Sequence, residues 1–329
     1  MTDWFFDDDG DLSLLDGKVV CVFGYGNQGR SQALNMSDNN VEVIVGSRSD
    51  SSAEQARADG LAVYPIAEAA QRADVLFLLV PDEVMPDIYE EAIEANLKEG
   101  DTLVFASGYN IHFGYIKPPA TVDVVMIAPR MIGKGVRDTF LSGTGYPSLI
   151  GVHQDASGEA LARTIALSKA VGSTRMGVIM SSFEEETVVD LFAEHWGVLY
   201  AVRRAYEVLR EAGCSPEAIL LELYASGEGV ETARAYRDIG LWHQITLHSR
   251  TSQYGQEVVA ALSPEQEEAD KRHLRGLVDN IKNGAFAKQW HDEQQNGAKT
   301  MSRVRERNLT HPMIQEERKL YKTLGRISE

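Results

Sequence analysis

The chain has 329 residues, 43% hydrophobic and 25% charged, a length that allows two domains with sizeable cores and a composition typical of a soluble protein. Its 32 basic and 49 acidic residues leave a formal charge of −17, so the overall field repels nucleic acid and anionic lipid and argues against either as a partner. Cys21 and Cys214 lie far apart, and the N-terminus has neither a basic segment nor an apolar run near the ~18 residues a membrane span needs, so the expectation is a cytoplasmic protein without a disulfide framework.

Lys18 to Asn35 is the stretch around which the N-terminal half is organised. The apolar run Val19 to Phe23 reads as a buried strand and leads directly into Gly24, Gly26 and Gly29, spaced as GxGxxG ahead of a helical segment from Gly29 to Asn39. In that context Gly24 allows the tight turn, Gly26 a close approach to a pyrophosphate and Gly29 close helix packing, while the helix start offers free N–H groups to phosphate. Gly24, Tyr25, Gly26, Asn27, Gln28 and Gly29 are the expected cofactor loop.

A second strand, Val41 to Val45, ends in the loop from Gly46 to Ser52. Arg48, Ser51 and Ser52 there suit the 2′-phosphate of NADPH, whereas Asp50 argues for NADH; NADPH is the favoured reading. A solvated loop with Ser51 or Ser52 capping the next helix is the plainer alternative. Helices are predicted over Ala53 to Asp59, Ile66 to Arg72 and Val84 to Asn96. Strands are predicted over Asp74 to Val80, Thr102 to Phe105, Val122 to Ala128 and Ser148 to Val152. Pro81 and Asp82 follow a strand end, where open α/β sheets place ligands. This alternation predicts an α/β Rossmann domain with a doubly wound, mostly parallel sheet.

Beyond Phe183 helical periodicity takes over, through Thr187 to Ala212, Pro216 to Tyr236, Pro264 to Asn283 and Ala285 to Gln295. The expected division is therefore 1–182 and 183–329, the second part all-α, with Ser182 as N-cap and Glu185 completing a capping box. Glu186, Asp190 and Glu194 recur every four residues along one helix face. Such a row is ordinarily solvated, but among Val188, Val189, Leu191, Phe192 and Trp196 it calls for a compensating charge, and Mg²⁺ is a candidate. Glu222 and Glu228 are further candidate ligands, although six residues apart they do not share a helical face. His112, His153 and His195 read more simply as packing or hydrogen-bonded residues.

The segments FDDDGDLSLL (6–15), GYGNQGRSQALN, LLVPDEV, GYNIHFG, IGVHQDASG and EEETVVDLF together resemble short-form ketol-acid reductoisomerase, from the N-terminus to at least Gly255. The resemblance implies a knotted helical C-terminal domain that dimerises. It also implies NADPH, two Mg²⁺ ions, and alkyl migration in an acetohydroxy acid followed by reduction. Carried over by position, Asp190 and Glu194 match the first pair of metal ligands, with Asp190 bridging, and Glu222 matches the first acid of a second pair given by the partner chain. Ser249, ahead of Thr251, matches the serine that holds the substrate carboxylate, and Arg48, Ser51 and Ser52 match the NADP-phosphate loop.

The departures fall where the chemistry would be. Ser107 stands where the family has His, Arg130 where it has Lys, and Val189 where it has Thr. The second acid of the later pair falls on Ser226, unless a two-residue shift supplies Glu228 at the expense of Glu222. Ser107 lacks the charge of a histidinium, and Arg130 is a poor proton donor whose planar fork does not replace Lys in a tight site. The expected catalytic set is Asp190, Glu194, Arg130 and Ser107, with Ser249, Thr251 and Glu222 toward a small-molecule substrate. The leading reading is an NAD(P)H-dependent reductase of 2-keto acids or related C=O or C=N groups with altered or lost isomerisation. A working ketol-acid reductoisomerase of branched-chain amino-acid synthesis is the alternative, and an inactive nucleotide-binding homologue the third.

Overall fold

Strands with no polar face suit the interior of a parallel sheet covered by helices on both sides. The computed structural model describes residues 3–327 apart from Ser49. Its nine-stranded sheet comprises β1 (Trp4–Phe5), β2 (Val19–Phe23), β3 (Glu42–Gly46), β4 (Ala62–Tyr64), β5 (Val75–Leu78), β6 (Thr102–Phe105), β7 (Asp123–Pro129), β8 (Ser148–Gln154) and β9 (Val178–Met180), in the order β1-β9-β8-β7-β6-β5-β2-β3-β4. From β7 through β4 all neighbours are parallel; β8 joins β7 antiparallel, β9 runs with β8, and β1 closes the edge antiparallel to β9. The chain order reverses between β2 and β5, the switch point at which doubly wound sheets bind ligands.

The α/β part carries α1 (Asn27–Asp38), α2 (Ser51–Ala58), α3 (Ile66–Arg72), α4 (Met85–Ile88, continuing irregularly to Asn96), α5 (Tyr109–His112), α6 (Gly133–Leu141) and α7 (Ala160–Val171). Val22, Phe77, Val104 and Ile127 pack into one core layer, and Phe23, Leu76, Leu103 and Met126 into the other, all at most 1% exposed. The short strands β1, β4 and β9 escape the sequence pattern because two or three residues carry no readable alternation. Helix α1 begins at Asn27, two residues before the predicted start, so Gly29 lies inside its first turn.

Helix α8 (Phe183–His195) opens the helical part, with Ser182 Oγ accepting from Glu185 N–H at 3.0 Å and the Glu185 carboxylate accepting from the Ser181 hydroxyl at 2.7 Å. The predicted continuous helix from Thr187 to Ala212 is two helices, because Gly197 takes a left-handed conformation (φ 90°) between His195 and Val198. The run from Pro216 to Tyr236 is likewise broken at Gly227 (φ 91°). The chain forms two compact units, up to Leu191 and from Phe192 onward. The second has a small core of its own, including Tyr206, Ile219, Leu220 and Leu320. Among the described residues no helix is long and apolar enough to cross a membrane.

A Cβ at Gly29 would lie 1.8 Å from the Gly24 carbonyl oxygen, whereas one at Gly26 would meet nothing within 4 Å. Gly29→Ala is expected to destabilise the chain by about 2 kcal/mol or more. Gly26→Ala should leave stability within about 0.5 kcal/mol and weaken NADPH binding. Urea unfolding and fluorescence titration with NADPH check both, and equal stability losses would contradict the assignment.

Candidate functional site

The C-terminal ends of β2 and β5 flank a cleft of about 480 Å³ whose lining includes the glycine loop, Ser52, Pro81, Asp82 and Ser107. Gly24 turns off β2 with φ 91°, and a Cβ there would sit 2.7 Å from Leu79 O. Two contacts fix the loop from outside. Tyr25 donates its hydroxyl to Asp59 at 2.9 Å, and Arg30 clamps the same carboxylate at 2.7 and 2.9 Å, holding the Asp59 pKa down at about 2. Gln28 Nε2 donates to Met131 O at 2.8 Å, next to Arg130.

Asp50 caps α2, its carboxylate accepting from Ala53 N–H at 3.1 Å and from the Ser47 hydroxyl at 3.4 Å. The cap is therefore Asp50 rather than Ser51 or Ser52. This acid is committed to the helix start, while Arg48 and Ser51 are exposed and Ser52 lines the cleft. Ser49 of this loop lies outside the described residues. Across the cleft, Asn110 Nδ2 holds Asp82 through its carbonyl (3.2 Å) and carboxylate (3.3 Å).

At the Ser107 end, three elements meet around one acid. Glu186 on α8 is 1% exposed, and both its oxygens are bonded: Oε2 accepts from Gly108 N–H at 2.7 Å, and Oε1 from Arg130 Nη2 at 2.7 Å. Arg130, just past β7, spans onward through Nη1 to Asp190 Oδ1 at 2.9 Å. A Cβ at Gly108 would fall 2.1 Å from Phe183 O, so glycine is what lets α8 approach the end of β6. Burial pushes the Glu186 carboxyl above the ordinary carboxylate range, while the Gly108 N–H and Arg130 pull the other way. The Ser107 hydroxyl accepts from Tyr109 N–H at 3.2 Å.

The first unit thus brings together the glycine loop, Ser52, Pro81, Asp82, Ser107, Arg130 and Asp190. Glu194, Glu222, Glu228, Ser249 and Thr251 belong to the second unit, and all five are exposed there. Ser249 Oγ caps the helix Arg250–Tyr254, accepting from Ser252 N–H at 3.3 Å. Ser226 accepts from Glu228 N–H at 3.3 Å at the start of the next helix, which gives this serine a structural task where an acid was expected. His195 packs on Phe286 with ring centroids 4.5 Å apart, and His153 on Phe183 at 5.5 Å, both packing roles. Glu186, part of the acid row yet outside the expected catalytic set, is the residue around which the site closes; its position one turn before Asp190 is the signal the sequence carries for it. Among the described residues no three His, Cys, Asp or Glu side chains converge as a ready metal cage.

The family model described as acetohydroxy acid isomeroreductase, NADPH-binding domain, matches residues 14–177, and the model of the ketol-acid reductoisomerase C-terminal domain matches 183–325. A Saccharolobus solfataricus protein that bears the ketol-acid reductoisomerase name provisionally is 45% identical over 325 residues, 97% of each chain. The NADP(+) ketol-acid reductoisomerase of Pyrobaculum aerophilum is 40% identical over 318 residues, 94% of each. Among solved structures, an NADH-preferring ketol-acid reductoisomerase from an uncultured archaeon superposes with TM-score 0.90 at 35% identity, covering 97% of this chain and 98% of its own.

Removing the guanidinium leaves Glu186 buried beside Asp190 with only the Gly108 N–H to stabilise it. Arg130→Met should cost about 2 kcal/mol at neutral pH. Because the folded-state pKa of Glu186 is raised above its unfolded value, and would rise further in the variant, the folded chain holds an extra proton in the window between the two values and loses stability as pH rises through it. The deficit of Arg130→Met should therefore shrink toward acid pH; urea unfolding at pH 5 and 8 measures this, and an equal deficit at both would contradict it.

Proposed function

The chain belongs to the ketol-acid reductoisomerase family, and we propose that it converts an acetohydroxy acid of the 2-acetolactate type, with NADPH and a proton, into the 2,3-dihydroxy acid and NADP⁺. The observation that carries this reading is the switch-point cleft lined by the glycine loop and Ser107, whose neighbour Gly108 bonds the Glu186 of the Arg130–Glu186–Asp190 cluster, in a chain whose two parts both match this family over nearly their whole length.

In this reading the N-terminal N–H groups of α1 hold the pyrophosphate, with Gly26 leaving it room. Arg48, Ser51 and Ser52 take the 2′-phosphate, and the commitment of Asp50 to its capping bonds supports NADPH over NADH. Asp190 and Glu194 would hold a divalent cation, with Glu222 or Glu228 of a second copy adding an acid. Bound NADPH supplies the hydride, and Mg²⁺ the polarisation of the substrate oxygens that alkyl migration needs. Arg130 has N–H groups beyond the two engaged with carboxylates, and these can orient an oxygen of the substrate. Ser249 and Thr251 would receive the substrate carboxylate. A dimer is part of the proposal: Leu199, Trp242, Leu247 and Val259 are each 68–84% exposed on the second unit, more large apolar surface than a monomer ordinarily leaves to water. The two free thiols support a reducing, cytoplasmic setting.

A second reading is favoured by Arg130 itself. With the guanidinium already seated on Asp190 and Glu186, and Ser107 in place of a histidine, reduction without alkyl migration demands less of the site. Consumption of NADPH, and separately NADH, with 2-acetolactate and with 3-hydroxy-3-methyl-2-oxobutanoate in the presence of Mg²⁺ separates the two. Turnover of 2-acetolactate is the expected result. Turnover of the already migrated keto acid alone would leave the second reading, and turnover of neither would overturn both.

A further inference from the structure

A divalent ion bound to a carboxylate cluster needs oxygen lone pairs that are not already committed, and a net negative charge to neutralise. The cluster here has fewer of both than its acids suggest. Both Glu186 oxygens are bonded at 2.7 Å in a position closed to water, and Asp190 Oδ1 is bonded at 2.9 Å. Arg130 holds two carboxylates with its two terminal nitrogens, a geometry that a planar, permanently charged fork provides and a single ammonium does not. Displacing it to make way for an ion would strand the buried Glu186. Charge leads to the same result. Arg130 already offsets one of the two negative charges of Glu186 and Asp190, which leaves less charge for a second ion to neutralise. A second ion would add two positive charges, while Ser226 stands where a further acid would have helped to balance them.

We propose that the Arg130 guanidinium takes the place of one of two cations, so that each chain binds a single divalent ion, at Asp190 and Glu194. This rests on the reading of those two residues as cation ligands. The guanidinium then supplies on one side of Asp190 the fixed positive charge that an ion would otherwise bring.

The test is the number of Mn²⁺ ions bound per chain in the full-length protein, counted from the loss of the free-ion EPR signal. Salt high enough to suppress loose binding to the acidic surface restricts the count to tight sites. The wild-type protein should bind one ion, and Arg130→Lys, whose flexible single-point charge can move aside, should bind two. Arg130→Met is the second variant and should also bind two if it folds, as judged by circular dichroism. A wild-type count of two or of zero overturns the proposal, as does a count that stays at one in folded Arg130→Lys. The count needs neither substrate nor turnover, so an absence of keto-acid reduction would sink the functional reading without altering it.

Discussion

A carboxylate that is 1% exposed survives only if its charge is met, and around Glu186 that requirement fixes the arrangement of three elements. The Gly108 N–H brings the end of β6 to it, Arg130 the end of β7, and α8 presents the acid itself. The absence of a side chain at Gly108 lets the helix come near enough for the bond to form, and the edge-to-face contact of Phe105 with Phe183, 6.2 Å between centroids, packs the same junction with apolar surface. Asp190 lies one turn later and shares the guanidinium. The acid row is thereby anchored to the edge of the sheet where the strands end.

The same anchoring joins this cluster to the switch-point cleft. Gln28, in the glycine loop, bonds the carbonyl of Met131, and a Cβ at Gly133 would lie 2.3 Å from Asn27 O, so the segment carrying Arg130 is packed against the loop that would hold the pyrophosphate. Ser107 lines the cleft while its neighbour Gly108 bonds Glu186. The glycine loop and the charged cluster are thus tied to each other through packed backbone. The Tyr25–Asp59–Arg30 network extends that connection to the far end of α2, whose start carries Ser51 and Ser52.

Much of this architecture is legible in the residues alone. The strand entering GxGxxG, the alternation after it and the change to helix beyond Phe183 are each strong periodic signals, and the blocks matching the family give the order of the parts. The features that stay hidden do so for physical reasons. The breaks at Gly197 and Gly227 interrupt segments whose apolar spacing continues on either side, so periodicity passes over them. Glu186 is visible as a member of the acid row, but its burial depends on Gly108, distant in sequence, and no local pattern reports that contact. Arg130 is recognisable as a departure from lysine, yet not as the partner of two carboxylates. The cap at Asp50 and the contact of Ser226 with the Glu228 N–H escape notice because short polar residues in loops offer several hydrogen-bonding choices, and only the backbone path selects among them.

The most direct test is a double-mutant cycle on Arg130 and Glu186, with Arg130→Met, Glu186→Gln and the pair compared by urea unfolding at neutral pH. If the guanidinium serves to meet the buried charge, each single change will be costly, the pair will cost much less than their sum, and the coupling energy will be about 2 kcal/mol. A coupling near zero would mean that the buried acid is stabilised without Arg130, and would contradict the account of how this site is held together.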